Sequence, residues 1–366
     1  TAYAHAQVLS RGPYLQAATS NSIHIRWRTD IATGSRVRYG LAQNNLNMMV
    51  ENLANVTEHE LTISGLTPST QYWYGIESSS GLLQGDADNF FYTLPVPGSK
   101  ALYRIAALGD CGNASANQIR VRDALLYHLG NNYLTAWLLL GDNAYATGTD
   151  AQYSTGFFNI YKDRFLKQNP LFPSPGNHDY NTGGRTPANR GNVPYHNIFS
   201  MPINGEAGGT PSGNKAFYSF DIGNIHFLSL DSHGEEAGAT RLYDTTGPQV
   251  TWVKQDLENN TNKDWIIAYW HHPPYTMGSH NSDAEMELVR IRGNFIRILE
   301  RYGVDLIVCG HSHVYERSRL MKGHYDNEAS FDPSVHNVSA SNGMYDGTAG
   351  SCPYIKRSAA GNEGTV

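Results

Sequence analysis

Five times along this chain an apolar run, or the residues just past one, gives way to a short motif rich in aspartate, asparagine or histidine. That recurrence restricts the fold more than any other feature. The motifs are Gly109-Asp110-Cys111-Gly112, Gly141-Asp142-Asn143-Ala144-Tyr145, Gly176-Asn177-His178-Asp179, Trp270-His271-His272-Pro273-Pro274 and Gly310-His311-Ser312-His313. Tyr103 to Leu108, Trp137 to Leu140, Trp265 to Trp270 and Val304 to Cys309 read as buried strands. Between the first two, Ile119 to Leu129 sets Leu125, Leu126 and Leu129 at helical spacing, and Gly130 stops the helix. Strand, helix, strand, with a carboxylate closing each strand, is a βαβ unit. Open α/β sheets bind their ligands at the carboxyl edge of the strands, so a parallel or mixed sheet carries all five motifs to one edge.

Taken singly, each motif is a weak signal. A Gly-Asp after a strand is ordinarily a turn, and a lone histidine is ordinarily a hydrogen-bonded structural residue. Together they converge oxygen and imidazole donors: Asp110, Asp142, Tyr145, Asn177, His271, His311 and His313. This set is too large for one ion. It suits two ions ~3.5–4 Å apart with one carboxylate bridging, the arrangement used to hydrolyse phosphoryl groups.

The rest of the chain has a different rhythm. Ile23 to Arg28, Ser35 to Gly40 and Glu58 to Ile63 alternate apolar and polar with period two, the pattern of strands with one buried face. Residues 8–94 therefore read as an all-β sandwich. Leu66, Pro68 and Tyr72 stand at the offsets of a tyrosine corner. Leu94-Pro95-Val96-Pro97-Gly98-Ser99-Lys100 is a linker by composition, so 95–100 separates the sandwich from an α/β domain over 101–366. Later, Asp221 to Leu230 reads as one strand, Glu287 to Tyr302 as a helix with Leu288, Ile291, Phe295, Ile298 and Leu299 inward, and Gly183 to Gly213 as a surface excursion.

Composition excludes several classes. No apolar run approaches the ~20 residues of a membrane span, and 11% aromatics is too rich for a disordered chain. A net charge of −6 offers no general grip on nucleic acid. Three cysteines, Cys111, Cys309 and Cys352, allow at most one disulfide and form no metal-binding pair. Ala4-His5-Ala6 has the form of a signal-peptidase site, which predicts a secreted, periplasmic or cell-surface protein. Asn362 to Val366 reads as a turn entering a strand, the pattern of a clipped chain.

The five motifs, their order and the following Tyr315-Glu316-Arg317 resemble the calcineurin-like metallophosphoesterases, and within them the purple acid phosphatases, over residues 100 to 320. The leading domain resembles a fibronectin type III domain, which plant-type members carry in a similar form; another small antiparallel sandwich would leave the site unchanged. Tyr145 is the discriminating residue, because the resemblance makes it a ligand to Fe(III). The implied fold is an all-β sandwich domain followed by an α/β metallophosphoesterase domain, two packed mixed sheets flanked by helices.

Carried over motif by motif, the resemblance gives one ion to Asp110, Asp142, Tyr145 and His313. It gives the other to Asp142, Asn177, His271 and His311, with Asp142 as the bridge. The sequence by itself does not separate His271 from His272. His178 and His280 are implied to face the substrate, with Asn177 beside them; an exposed loop position is the alternative for His280. The implied cofactor is Fe(III) with a divalent ion (Zn, Mn or Fe). The implied reaction is acid hydrolysis of small phosphomonoesters by a metal-bound hydroxide, with His178, His280 and Asp142 as the catalytic residues. A phosphodiesterase or nucleotide pyrophosphatase would use the same site, and a cell-surface binding protein on a non-catalytic scaffold is the remote alternative. For the sandwich, a structural spacer stands against a role in the cleft or in a homodimer.

Overall fold

The computed structural model describes residues 7–344, 346–351, 353–354 and 364–366. Ala4-His5-Ala6, Cys352 and Asn362-Glu363, on which sequence readings fell, lie outside the described residues. The leading domain holds β1 (Leu9–Gln16), β2 (Ser22–Gly40), β3 (Met48–Ser64), β4 (Gln71–Ser78), β5 (Gly81–Gln84) and β6 (Phe90–Tyr92). β2 pairs antiparallel with β1, β3 and β4, and β4 with β5 and β6. Alternation puts Ile23, Ile25, Trp27, Val37 and Tyr39 in the core, as the period-two pattern predicts. The two strands expected over 23–28 and 35–40 are one strand, because the residues between them stay extended through irregular register opposite β3. The tyrosine corner is present: the Thr67 N–H donates to Tyr72 Oη at 3.1 Å.

The α/β region begins with β7 (Ile105–Leu108), β8 (Ala136–Leu140) and β9 (Leu171–Ser174), all parallel, in the spatial order β9-β8-β7. The helix Ala116–Leu129 crosses from β7 to β8, opened by Ser115, whose hydroxyl accepts the Gln118 N–H, and closed at Gly130. β1 lies parallel to β9, with Gln16 opposite Leu171, so the leading strands and this βαβ system share one nine-stranded sheet. The apolar core is shared as well: Tyr14, Leu15 and Ile25 belong to the same buried cluster as Trp137, Phe158 and Phe172.

The second sheet runs β10 (Tyr218–Ile222), β11 (Ile225–Ser229), β12 (Trp265–Trp270) and β13 (Leu306–Cys309), antiparallel between β10 and β11 and parallel beyond. The strand expected within 221–230 is β11; Asp221 and Ile222 end β10, and the two strands form a hairpin turned at Gly223 with φ 56°. The two sheets meet through aromatic side chains, Phe172 stacking on Phe220 with ring centroids 3.8 Å apart. The excursion expected over 183–213 folds back onto the core. Its Val193, Tyr195, Ile198, Phe199 and Met201 are buried, supplying enough apolar surface to outweigh the Gly- and Asn-rich composition. The helix expected over 287–302 is continuous from Met286 to Arg301, with a wider turn at Ile291–Phe295 and all five expected side chains inward. Cys111 and Cys309 are unpaired thiols. No described helix is long and apolar enough to cross a membrane.

Candidate metal centre

The five motifs do not share one sheet edge, as the sequence suggested, but the facing ends of two sheets. Asp110, Asp142 and Asn177 follow β7, β8 and β9, while His271 and His311 follow β12 and β13. Strand ends can approach this closely because glycines stand between them. A Cβ on Gly176 would lie 2.2 Å from Asp142 Oδ1, and one on Gly141 would lie 2.6 Å from His271 Nδ1. Asp110, Asp142 and His311 take the left-handed backbone region, at φ 56°, 52° and 67°. Non-glycine residues held there cluster at functional sites, where the surrounding structure over-determines them.

Tyr145 is the hub of one half of the site. Its hydroxyl lies 2.7 Å from Asp110 Oδ1, 3.1 Å from Asp142 Oδ2 and 3.1 Å from His313 Nε2. His313 Nε2 is 3.2 Å from Asp110 Oδ1. In the other half, His271 Nε2 lies 3.2 Å from Asp142 Oδ2, and His311 Nδ1 lies 3.3 Å from His271 Nε2. His271 Nδ1 donates to the Leu140 carbonyl at 2.8 Å, which fixes the tautomer and turns Nε2 toward the carboxylate. Its neighbour His272 turns away, with Nδ1 on the Ser232 hydroxyl at 2.8 Å. The structure therefore separates two histidines that the sequence left open. Asp142 belongs to both halves.

Burial alone would raise the Asp142 carboxyl, yet the His271 imidazole and the His178 N–H outweigh it and hold it well below the usual range. Burial would lower His271, but Asp142 and Asp110 bring it up to about 9. Burial, with repulsion from Asp110 and Asp142, pushes the Tyr145 phenol up, whereas burial and the charge on His271 bring His311 down to about 4. Two carboxylates on a largely buried cluster demand positive charge.

Three observations fit a pair of hard cations here. The donors are two carboxylates, a phenol, a carboxamide and three imidazoles. Asn177 Oδ1 is buried without a hydrogen-bond partner. The glycine contacts also leave the donors, rather than methyl groups, facing the cleft. Asp110, Asp142 and His271 offer ligand atoms within 4.8 Å of one another, as do His280, Glu285 and His311.

The two histidines expected at the substrate lie at the rim. His178 donates from Nδ1 to the Ala146 carbonyl at 2.6 Å, with Nε2 3.8 Å from Asp142 Oδ2. His280 stacks on His311 at 3.7 Å and binds Glu285 through Nδ1 at 2.9 Å, so it is not a free loop residue. Sequence reasoning missed Glu285, which also accepts the Asn281 N–H, and Asp179. Asp179 stands in the third motif, where the sequence alone assigns it no role. It accepts the N–H groups of Asn143 (3.1 Å) and Gly176 (2.8 Å), tying two motifs together.

Comparisons with known proteins show the family and the fold. The calcineurin-like phosphoesterase family profile matches residues 103–315, and that of the purple acid phosphatase N-terminal domain matches residues 12–92. Purple acid phosphatase 15 of Arabidopsis thaliana is 32% identical over 286 residues, 71% of this chain and 49% of that protein. Acid phosphatase type 7 of Homo sapiens is 26% identical over 329 residues, 81% of this chain and 67% of that protein. The solved structure of purple acid phosphatase PPD1 from yellow lupin (Lupinus luteus) seeds superposes with a TM-score of 0.60 at 18% identity, over 85% of this chain and 59% of that one. The chain spans about half the length of the Arabidopsis relative.

Proposed function

Since the chain belongs to the calcineurin-like phosphoesterases and carries a purple acid phosphatase N-terminal domain, we propose that it is a binuclear metal-dependent acid phosphatase that hydrolyses small phosphomonoesters. The observation that carries this reading is Tyr145, whose phenol lies within 3.1 Å of Asp110, Asp142 and His313 at once. In this reading Asp110, Asp142, Tyr145 and His313 hold Fe(III), because a hard trivalent ion favours carboxylate and phenolate oxygens. Asp142, Asn177, His271 and His311 hold a divalent ion (Zn, Mn or Fe). When bound, the two ions supply Lewis-acid charge for the phosphoryl oxygens and a water acidic enough to attack below neutral pH.

The chain's own residues do the rest. The His271 tautomer, set by the Leu140 carbonyl, keeps Nε2 as a lone-pair donor. Asn177 keeps a buried carbonyl oxygen free of hydrogen-bond partners, and the glycines let the strand ends approach closely. His178 and His280, at the rim, bind the phosphoryl oxygens and hand a proton to the leaving alkoxide. Glu285 orients His280 through its Nδ1.

The domain limits that accompany this reading are 8–94 for a fibronectin type III-like sandwich, 95–100 for a linker and 101–366 for the catalytic domain. A secreted, periplasmic or cell-surface location and a homodimer belong to the same reading. Metal analysis, a visible spectrum and turnover of p-nitrophenyl phosphate against its bis-ester test it. The expected result is two bound metals, a phenolate-to-iron band and preference for the monoester. Asp142→Asn is expected to remove nearly all turnover. Preference for the bis-ester would reassign the site to phosphodiesters, and activity that survives complete chelation would refute it.

A further inference from the structure

A single run of polar contacts joins the leading sheet domain to the loops of the metal centre. It begins at Arg11 in β1, whose side chain is fully buried. Arg11 Nη2 donates to the carbonyl and to Oδ1 of Asp150, both at 3.0 Å, and to Ser154 Oγ at 2.6 Å. Arg28 in β2 closes on the same carboxylate as a fork, Nη2 to Oδ1 at 2.7 Å and Nη1 to Oδ2 at 2.5 Å. Asp150 opens the helical turn that follows Tyr145. There Gln152 Oε1 accepts the N–H groups of Thr147 and Thr149, so the short link back to Tyr145 is pinned. Tyr153, fully buried in the next turn, donates to Asp179 Oδ1 at 2.5 Å. Asp179, also fully buried, accepts from Asn143 N, Asn143 Nδ2 and Gly176 N at 3.1, 3.0 and 2.8 Å. Asn143 follows Asp142 directly, and Gly176 directly precedes Asn177.

We propose that the leading domain is a brace for the metal centre and that Asp150 is its positioning residue, setting through Tyr153 and Asp179 the spacing between the loop of Asp142 and the loop of Asn177. The inference rests on the metal-centre reading above. A buried guanidinium needs a carboxylate partner, and two arginines from different strands converge on this one. The fork fixes orientation as well as distance. Partners that hold metal-binding side chains in place commonly change metal affinity 10–100-fold when removed. A spacer would need none of these contacts.

Zinc alone is the probe: metal-free protein is loaded with Zn(II), and its release to a colorimetric chelator is timed. Asp150→Asn and Tyr153→Phe are each expected to speed release about tenfold, and the double variant to do no more than the faster single one, because both cut the same link. Lys167→Met is the control. It removes a seam ion pair, Lys167 Nζ to Asp86 Oδ2 at 2.8 Å, outside this run of contacts, and is expected to lower Tm while leaving the release rate within twofold. Wild-type release from Asp150→Asn and Tyr153→Phe would overturn the inference. So would fully additive effects, or equally fast release from Lys167→Met. Should Asp150→Asn fail to fold, Tyr153→Phe alone decides, fast release sustaining the brace and wild-type release overturning it. Unsubstituted protein that takes up no zinc would instead overturn the metal-centre reading itself, an outcome told apart because it needs no variant.

Discussion

Gly176→Ala isolates the closeness of the strand ends as a cause of function. The added Cβ would sit 2.2 Å from Asp142 Oδ1 and 2.3 Å from Asp142 N, where ordinary contacts are about 3.5–4.0 Å. Relief therefore needs a shift of about 1 Å or more between the two loops, against both backbone and carboxylate. Gly176 has φ −115°, open to any residue, so the effect is crowding and not backbone strain. Overpacking of this kind costs about 1–3 kcal/mol, which lowers Tm by roughly 2–10 °C for a chain of this class. Misplacing catalytic groups by about 1 Å costs on the order of 100-fold in kcat. The assay pairs p-nitrophenyl phosphate turnover with thermal melting, and Gly191→Ala, where nothing lies within 4 Å of the new Cβ, is the control. A Gly176→Ala protein with the turnover and Tm of Gly191→Ala would refute the argument that glycine is required there for approach.

Three further outcomes follow from the same structure. His280→Ala, which leaves the seven donors untouched, should lower kcat about 100-fold with unchanged metal content, read by metal analysis beside steady-state kinetics. Removing the metals with a chelator should abolish turnover and lower Tm, with both restored on adding metal back, since a ligand bound only by the folded state stabilises it. His59, buried against Trp27 and bonded to the Thr29 and Ser35 hydroxyls at 2.8 Å, is brought down by burial from 6.5 to about 4. A depressed imidazole favours the folded state while neutral. Its contribution is present above pH 6.5 and is lost as pH falls toward 4, a change on the order of 3 kcal/mol. Urea midpoints measured across that window should fall for the wild type and stay flatter for His59→Gln.

The convergence of the five motifs was legible because each follows a strand, and in four of them a glycine directly precedes Asp110, Asp142, Asn177 or His311. Strand and helix type were legible wherever apolar spacing ran for several residues, as in β12 and in the helix ending at Arg301. What was not legible depends on residues far apart in the chain. Nothing near Gln16 announces that it will lie beside Leu171, nor does anything near Arg11 announce Asp150, so the strand pairing that continues the sheet from the leading region into the α/β region was not legible. The hairpin at Gly223 is marked in the sequence only by the Gly223-Asn224 pair between two short alternating segments, 218–222 and 225–229. The burial of segment 183–213 was not legible because its Gly and Asn content masks apolar side chains such as Val193, Tyr195 and Phe199. Glu285 lies five residues from His280 in no motif, and only the turn before Met286 brings them together.

The two facing sheets divide the chemistry of the site between them. Asp110, Asp142, Tyr145 and Asn177, all oxygen donors, come from the ends of β7, β8 and β9, and His271, His311 and His313, all nitrogen donors, come from the ends of β12 and β13. Neither half carries a mixed donor set on its own, so an ion seated between them would act as a rivet across the seam. A change that drifts one half by a fraction of an ångström is felt at once by the other, which obliges the two halves to vary in concert.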